Sequence, residues 1–320
     1  MQPSASPAGR RVAVVGAGMV GSSWTALFLA HGLHVVVHDP DPAAEKRVRE
    51  ALIRIAPIIG VSEPTGQNLA EGLSFEADLE RAVDGVDVVQ ESAPERLEVK
   101  QELWARIGRA VGDRALLLSS SSAITATLQG EQLHDARRLL VGHPLNPPYL
   151  MPLVEVVPGE RTDPAATAEA VAFYESLGKV ARVVKEVRGF VVSRLQRAMF
   201  AECLHLVQQG VVTVDELDDI VTNSVGLRWA ADGPFRSFHL SGGATGLRGY
   251  FEKFGRSLQF AINHEPKVKI DRKLQELVVT QAEATFGAVP REQLERERDC
   301  RQLAILRALR EANDRSEDNR

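Results

Sequence analysis

Arg11-Val12-Ala13-Val14-Val15-Gly16-Ala17-Gly18-Met19-Val20-Gly21-Ser22-Ser23-Trp24 decides the fold. Val12 to Val15 form a short, mostly β-branched apolar run, the composition of a buried strand. The run stops at Gly16, and the pattern G-x-G-x-x-G leads at once into an apolar stretch, Ser22 to His31, that reads as a helix. Each glycine has a physical task. Gly16 makes the tight turn, Gly18 lets backbone approach a pyrophosphate, and Gly21 lets the helix pack close to the strand. Met19 and Val20 lie between the last two, where the helix N-terminus faces phosphate. A second strand, His34 to His38, ends at Asp39, 23 positions after Gly16. That spacing suits a ligand for a ribose 2′-OH, and an aspartate there accepts from a diol and repels a 2′-phosphate, so the expected cofactor is NAD. The alternative for Asp39, read alone, is a helix cap before Pro40. Strand, glycines, helix, strand and acid in this order predict a dinucleotide site.

The chain has 320 residues, more than one core usually holds, so two domains are expected. Its net charge of -5 offers no basic face for nucleic acid and no polybasic membrane anchor. Cys203 and Cys300, the two cysteines, lie far apart without metal spacing, so neither a zinc site nor a disulfide scaffold is expected. These features predict a cytoplasmic protein with a small-molecule partner. Met1 to Arg10 read as a loose leader, and Val61 to Gly72 as a loop with a short helix. Further strands are expected at Val86 to Gln90, Ala115 to Leu118, Leu139 to Val141 and Val180 to Val184. The segment Glu91 to Lys100 turns from a strand end into a helix reaching about Val111. This makes Glu95 and Lys100 candidates for the nicotinamide side of a cleft, with a surface charge set as the alternative. Ser119 to Ser122 can cap the helix that follows from about Ile124 or turn a hydroxyl into the cleft. Past Gly189 the texture becomes helical: Val192, Leu195, Met199, Cys203 and Leu206 recur at spacings of three or four, predicting an amphipathic helix over 190–209. Thr213 to Glu216 is a capping box, Pro290 to Glu311 is a solvated helix with one packed face, and Asn313 to Arg320 reads as a frayed tail. The predicted fold is α/β, a Rossmann-type dinucleotide-binding domain over 1–188 followed by an all-helical domain over 189–320.

Gly142-His143-Pro144-Leu145-Asn146-Pro147-Pro148-Tyr149-Leu150-Met151-Pro152-Leu153-Val154-Glu155 carries the second constellation. Four prolines exclude a helix and stiffen the turn. His143 leaves a strand end, and Glu155 begins the next strand, so the pair can form a histidine oriented by a carboxylate, which is general-base equipment. The alternative is a lone strand-end histidine with a surface glutamate, and the nucleotide site weighs against it.

With these stretches in view, the chain resembles the L-3-hydroxyacyl-CoA dehydrogenase superfamily over nearly its whole length, most closely its lambda-crystallin branch, which includes L-gulonate 3-dehydrogenase. The resemblance rests on Gly16 to Trp24, Pro94 to Lys100, His143 to Tyr149, Gly189 to Gln196 and Gly226-Leu227-Arg228-Trp229-Ala230. It implies that His143 is the acid/base, that Glu155 orients it, and that Ser122 binds substrate. The family's fourth residue is an asparagine, and Ser193 stands at its position. Asn146 within the proline turn is a further substrate candidate, and Arg228 could clamp a free carboxylate, with a salt bridge as the alternative. The resemblance implies a homodimer and NAD-dependent oxidation of the 3-hydroxyl of a small acid such as L-gulonate, 3-hydroxybutyrate or carnitine, with the 3-oxo acid as product and no metal. A hydroxyacyl-CoA substrate remains open, as does a nucleotide-binding or structural protein that has lost turnover.

Overall fold

The computed structural model describes residues 9–60, 71–264 and 268–317. The expected leader and the loop from Val61 to Gly72 therefore lie, except for the last two residues of each, outside the described residues. The chain forms two compact units, one up to Arg194 and one from Leu195 onward, a few residues later than the sequence boundary at Arg188.

The first unit is built on one sheet of eight strands: β1 (Arg11–Val15), β2 (His34–His38), β3 (Leu73–Phe75), β4 (Val88–Glu91), β5 (Leu116–Ser119), β6 (Leu139–Pro144), β7 (Leu153–Pro158) and β8 (Val180–Val183). Their spatial order is β3-β2-β1-β4-β5-β6-β7-β8, and every pairing is parallel except β6 with β7. The order reverses between β1 and β4, which is where an open α/β sheet collects ligands at the carboxyl ends of its strands.

Alternate residues of each strand face opposite layers. Val12 and Val14 pack into one core with Val35, Val37, Val88 and Leu116, whereas Ala13 and Val15 join the other with Val89 and Leu117. The first layer is covered by α1 (Met19–Ala30), α2 (Ala44–Ile55) and α6 (Pro164–Ser176), the second by α3 (Leu79–Val83), α4 (Leu97–Ala110) and the short α5 (Ala126–Gln129). Trp24 and Phe28 of α1 stack with ring centroids 5.4 Å apart, and Trp24 also meets Tyr174 of α6 at 5.5 Å. Gly142 is glycine for steric reasons, since a Cβ there would lie 1.9 Å from the Tyr174 hydroxyl.

The second unit is helical: most of α7 (Val192–Gln208), then α8 (Val214–Thr222), α9 (Val225–Ala231), α10 (Pro234–Ser241), α11 (Gly246–His264), α12 (Arg272–Phe286) and α13 (Arg291–Glu317). The capping box is present, with Thr213 accepting from the Glu216 N–H and Glu216 reaching back to the Thr213 N–H. Two expectations are corrected. The helix predicted over 190–209 starts at Val192, because Gly189 (φ 77°) and Phe190 (φ 44°) occupy the left-handed region. The polar stretch from Asn313 continues α13 to Glu317 instead of fraying. Of the predicted stripe of α7, Leu195 and Met199 are exposed and Val192, Cys203 and Leu206 half-buried, whereas Leu204 and Val207 are the buried positions.

Candidate active site

The glycine turn is built as its sequence demands. Gly16 has φ 100°, and a Cβ there would lie 2.7 Å from the Ser92 backbone; a Cβ on Gly21 would lie 1.8 Å from the Gly16 carbonyl. Gly18 differs, with nothing within 4 Å of a built Cβ. The first and third glycines are thus required by the protein's own backbone, and the second leaves room above the turn. No side chain caps α1 at Gly18 and no acid lies in its first turn, so the backbone donors around Met19 and Val20 face an open cradle suited to a pyrophosphate. Asp39 is fixed against this turn. Its Oδ2 accepts from the Ala17 N–H at 2.7 Å, its Oδ1 accepts from the Asp41 N–H at 2.9 Å, and the Arg47 guanidinium lies 3.8 Å away. Each oxygen keeps a lone pair for a ribose hydroxyl. These residues fit NAD.

The strand ends beside the turn carry a buried ionic group. Lys100, 1 % exposed, donates to Glu91 Oε1 at 2.6 Å and to the Ala93 carbonyl at 3.3 Å, and lies 3.6 Å from Glu95 Oε2. Glu91 also accepts from the Ser119 hydroxyl at 2.6 Å and the Ala93 N–H at 2.7 Å. Glu95 in turn collects the serine loop, accepting from Ser121 Oγ at 2.6 Å and from the N–H groups of Ser122 and Ala123 at 3.0 Å. Lys100 is therefore an interior cation shared by two carboxylates, not part of a surface charge set. Glu95 spans from this cation to the loop that presents the exposed Ser122. Ser121 Oγ accepts from the Ile124 N–H at 2.9 Å within the loop, and the expected serine cap is corrected: α5 begins at Ala126 and is capped by Thr125, whose side chain accepts from the Leu128 N–H.

The third part is the histidine. β6 and β7 place His143 and Glu155 directly opposite each other, and His143 Nδ1 lies 2.8 Å from Glu155 Oε2 in a buried pair. An ionised carboxylate only accepts, so Nδ1 carries the proton and Nε2 is left as an acceptor. The other Glu155 oxygen accepts from the N–H groups of Val191 at 2.9 Å and Val192 at 3.1 Å. Burial alone would raise the Glu155 carboxyl, but the bonds from His143, Val192 and Val191 outweigh it and hold the group below its usual value. Phe190, fully buried, packs its ring 5.7 Å from the imidazole. Its positive φ turns the chain so that the next two N–H groups meet Glu155.

The first unit thus gathers Gly16, Gly18, Gly21, Asp39, Glu95, Lys100, Ser122, His143 and Glu155 at the carboxyl edge of its sheet. Ser193, in the first turn of α7, donates from Oγ to the Ser122 carbonyl over a long 3.4 Å. Asn146 is exposed on the proline turn. Arg228 belongs to the second unit, exposed on α9. Sequence reasoning missed the buried carboxylate of Glu91, and a charge closing the apolar strand Val88–Glu91 was the available signal. It also missed the chain in which Tyr174 Oη donates to Gln90 Oε1 at 2.9 Å and Gln90 Nε2 donates to Ser120 Oγ at 2.9 Å.

Comparison with known proteins agrees with this geometry. The model of the 3-hydroxyacyl-CoA dehydrogenase NAD binding domain matches residues 11–187, and that of the 3-hydroxyacyl-CoA dehydrogenase C-terminal domain matches 189–276. The chain is 41 % identical over 304 residues to an L-carnitine dehydrogenase of Pseudomonas aeruginosa, covering 95 % of each chain. It is 42 % identical over 305 residues to one of Streptomyces coelicolor, covering 93 % of this chain and 94 % of that one. Among solved structures it resembles 5-formyl-3-hydroxy-2-methylpyridine 4-carboxylic acid 5-dehydrogenase, an NAD+ dependent dismutase (TM-score 0.78, 27 % identity, 94 % of this chain and 99 % of that one). It also resembles the 3-hydroxyacyl-CoA dehydrogenase of Archaeoglobus fulgidus (TM-score 0.67, 26 % identity, with 94 % and 99 % covered). The two matched models cover most of the chain in order, and the chain belongs to the 3-hydroxyacyl-CoA dehydrogenase family of NAD-dependent oxidoreductases.

Proposed function

We propose that this protein oxidises the 3-hydroxyl of L-carnitine, or of a short 3-hydroxy acid like it, to the 3-oxo acid, with His143 as the general base. The observation that carries the reading is the buried 2.8 Å bond from His143 Nδ1 to Glu155, which leaves Nε2 to accept a proton. Bound NAD+ supplies the hydride acceptor. As the carbinol carbon gives up its hydride, its hydroxyl proton passes to Nε2, and Glu155 stabilises the imidazolium that forms. In the reverse direction the protonated histidine returns that proton to the oxo group. Ser122 and Ser193 hold the substrate oxygen, Asn146 lines the substrate side, and the buried cation of Lys100 fixes Glu95 and through it the serine loop. Asp39 holds the adenosine ribose.

The choice of L-carnitine rests on the relatives of about 40 % identity and on Arg228. Carnitine carries a free carboxylate, which a guanidinium binds with two parallel hydrogen bonds, and a CoA thioester carries none at that place. A hydroxyacyl-CoA substrate is the second reading, favoured by the likeness to the A. fulgidus enzyme. In this account residues 1–188 hold the cofactor, and residues 189–320 serve substrate binding and self-association. A homodimer is supported by the second unit's surface. Its buried apolar side chains among the described residues are Leu204, Val207 and Leu274, whereas Phe200, Leu227, Phe235, Leu240 and Phe251 are exposed. A two-fold pairing would cover such faces. The cytoplasm fits two unpaired cysteines, and no helix among the described residues is long and apolar enough to cross a membrane. The test is NAD+ reduction with L-carnitine, L-gulonate, 3-hydroxybutyrate and a 3-hydroxyacyl-CoA side by side. Carnitine should react best; turnover of the thioester alone would replace this reading with the second.

A further inference from the structure

Lys179 is a buried cation without an anion. It precedes β8, is 7 % exposed, and makes no ion pair among the described residues. Its Nζ donates to the Pro148 carbonyl and, at 2.9 Å, to the Met151 carbonyl, and it lies 5.7 Å from the centre of the Trp24 ring. These contacts belong to two segments that the proposed chemistry needs. Pro148 and Met151 lie in the turn that joins His143 to Glu155, and Trp24 lies on α1, the helix that opens at the glycine turn.

The turn explains why a lysine stands here. Pro147, Pro148 and Pro152 remove three backbone donors, so the turn has more inward carbonyls than N–H groups to satisfy them. An ammonium brings three donors and no acceptor, and a π-face beside it also prefers a cation. A methionine would fill the space and leave both carbonyls unpaired.

We propose that Lys179, as an ammonium, is a positioning residue that clamps the His143–Glu155 turn against Trp24 and so holds the acid/base histidine in fixed relation to the cofactor helix. This rests on the reading of His143 as the general base. Burial lowers the Lys179 ammonium to about 8, because no carboxylate offsets the lost hydration. The groups on the packed elements support that isolation. α1 offers the Trp24 ring, the turn offers Tyr149, and α6 offers Tyr174, whose buried phenol is pushed up and stays protonated. Glu169 of α6 pairs with Arg138, the exposed Glu175 makes no ion pair with Lys179, and Glu155 of β7 is bound to His143. Losing the proton weakens the clamp, so catalysis should fall as pH rises through this value.

The experiment has two arms on the full-length protein. In the first, kcat/KM for NAD+ reduction by the best substrate of the panel is followed from about pH 6 to about pH 10. Wild type should lose activity above about pH 8. Lys179→Met should be about tenfold or more slower at neutral pH and lack that alkaline fall, in line with the cost of a misplaced catalytic group. Lys179→Arg, charged throughout the range, should lack the fall and run faster than the methionine variant. In the second arm no substrate is present, and intrinsic tryptophan fluorescence is titrated over the same range. Wild type should show an inflection near pH 8, which the arginine variant abolishes. If Lys179→Met does not fold, the comparison of wild type with Lys179→Arg decides. An unchanged alkaline fall, or an unchanged inflection in either variant, overturns the proposal. If no panel compound reacts, the general-base reading fails, while the fluorescence arm still decides the role of the lysine.

Discussion

Replacing Glu155 by glutamine keeps the size of the side chain and removes its charge, and the contacts of the carboxylate determine the consequence. It serves three donors, Nδ1 of His143 on one oxygen and the N–H groups of Val191 and Val192 on the other. An amide has one oxygen and one NH2. The two backbone donors cannot move away, so they claim the oxygen, and the NH2 then faces Nδ1. That contact is satisfied only if Nδ1 accepts, which places the ring proton on Nε2 and removes the base. Where an analogous buried aspartate behind a catalytic histidine becomes asparagine, kcat falls by about 10⁴. Glu155→Gln should cost a similar factor, about 10³ to 10⁴ in kcat/KM near neutral pH, or about 4 to 5.5 kcal/mol of transition-state stabilisation. NADH affinity should stay within about threefold, because the contacts of Asp39 and the glycine turn are untouched. The assay is steady-state NAD+ reduction by L-carnitine, with NADH binding followed by fluorescence. A variant retaining more than about a tenth of wild-type kcat/KM would refute this reasoning, since its histidine would still have an unprotonated Nε2.

Glu155 also carries a pH prediction for stability. Its folded carboxyl titrates below its usual value, so its stabilising contribution is complete above about pH 4.5 and is lost as pH falls through the folded value. The melting temperature should drop on acidification in that window, and Glu155→Gln should flatten the drop; equal slopes would show that other carboxylates control it. Asp39→Arg should narrow or reverse a preference for NADH over NADPH, measured as the ratio of their dissociation constants, and a wild type that prefers NADPH would show the Asp39 assignment to be wrong. Arg228→Ala should raise KM for a free hydroxy acid by more than about tenfold with little change in kcat, and an unchanged KM would refute the carboxylate clamp. Ser193→Asn, measured on the substrate panel, should raise kcat on small 3-hydroxy acids if a water fills the space beside the serine, and lower it if a bulkier substrate does. A profile matching wild type would remove Ser193 from the site.

Local signals made the cofactor half of the fold legible. Gly21 is demanded by the carbonyl of Gly16, five residues earlier, and Gly16 by its positive φ as well as by the Ser92 backbone just after β4, so strand, turn and helix can be read locally although the Ser92 contact cannot. His143 and Glu155 were legible as a pair because the prolines between them limit the ways the segment can return. Lys100 and Lys179 were not, for a common reason. The sequence shows Lys100 between Val99 and Gln101 and Lys179 between Gly178 and Val180, with no partner in view, and only the assembled sheet shows that Lys100 points at Glu91 and Lys179 at two carbonyls. The start of α7 was misread because an apolar period of three to four residues cannot reveal a positive φ at Phe190. The apolar positions of the second unit fitted amphipathic helices well, yet periodicity states only that a face is apolar and leaves open what covers it.

Transfer of the hydroxyl proton to Nε2 of His143 is the central step, and His143→Asn tests it most directly. The variant and wild type would be compared for NADH formation from L-carnitine and NAD+, with NADH affinity measured on both. The expected result is NADH formation by wild type, a loss of at least about 10²-fold in kcat for the variant, and unchanged NADH affinity. Turnover by the variant within about tenfold of wild type, with the cofactor still bound, would contradict the role given to His143.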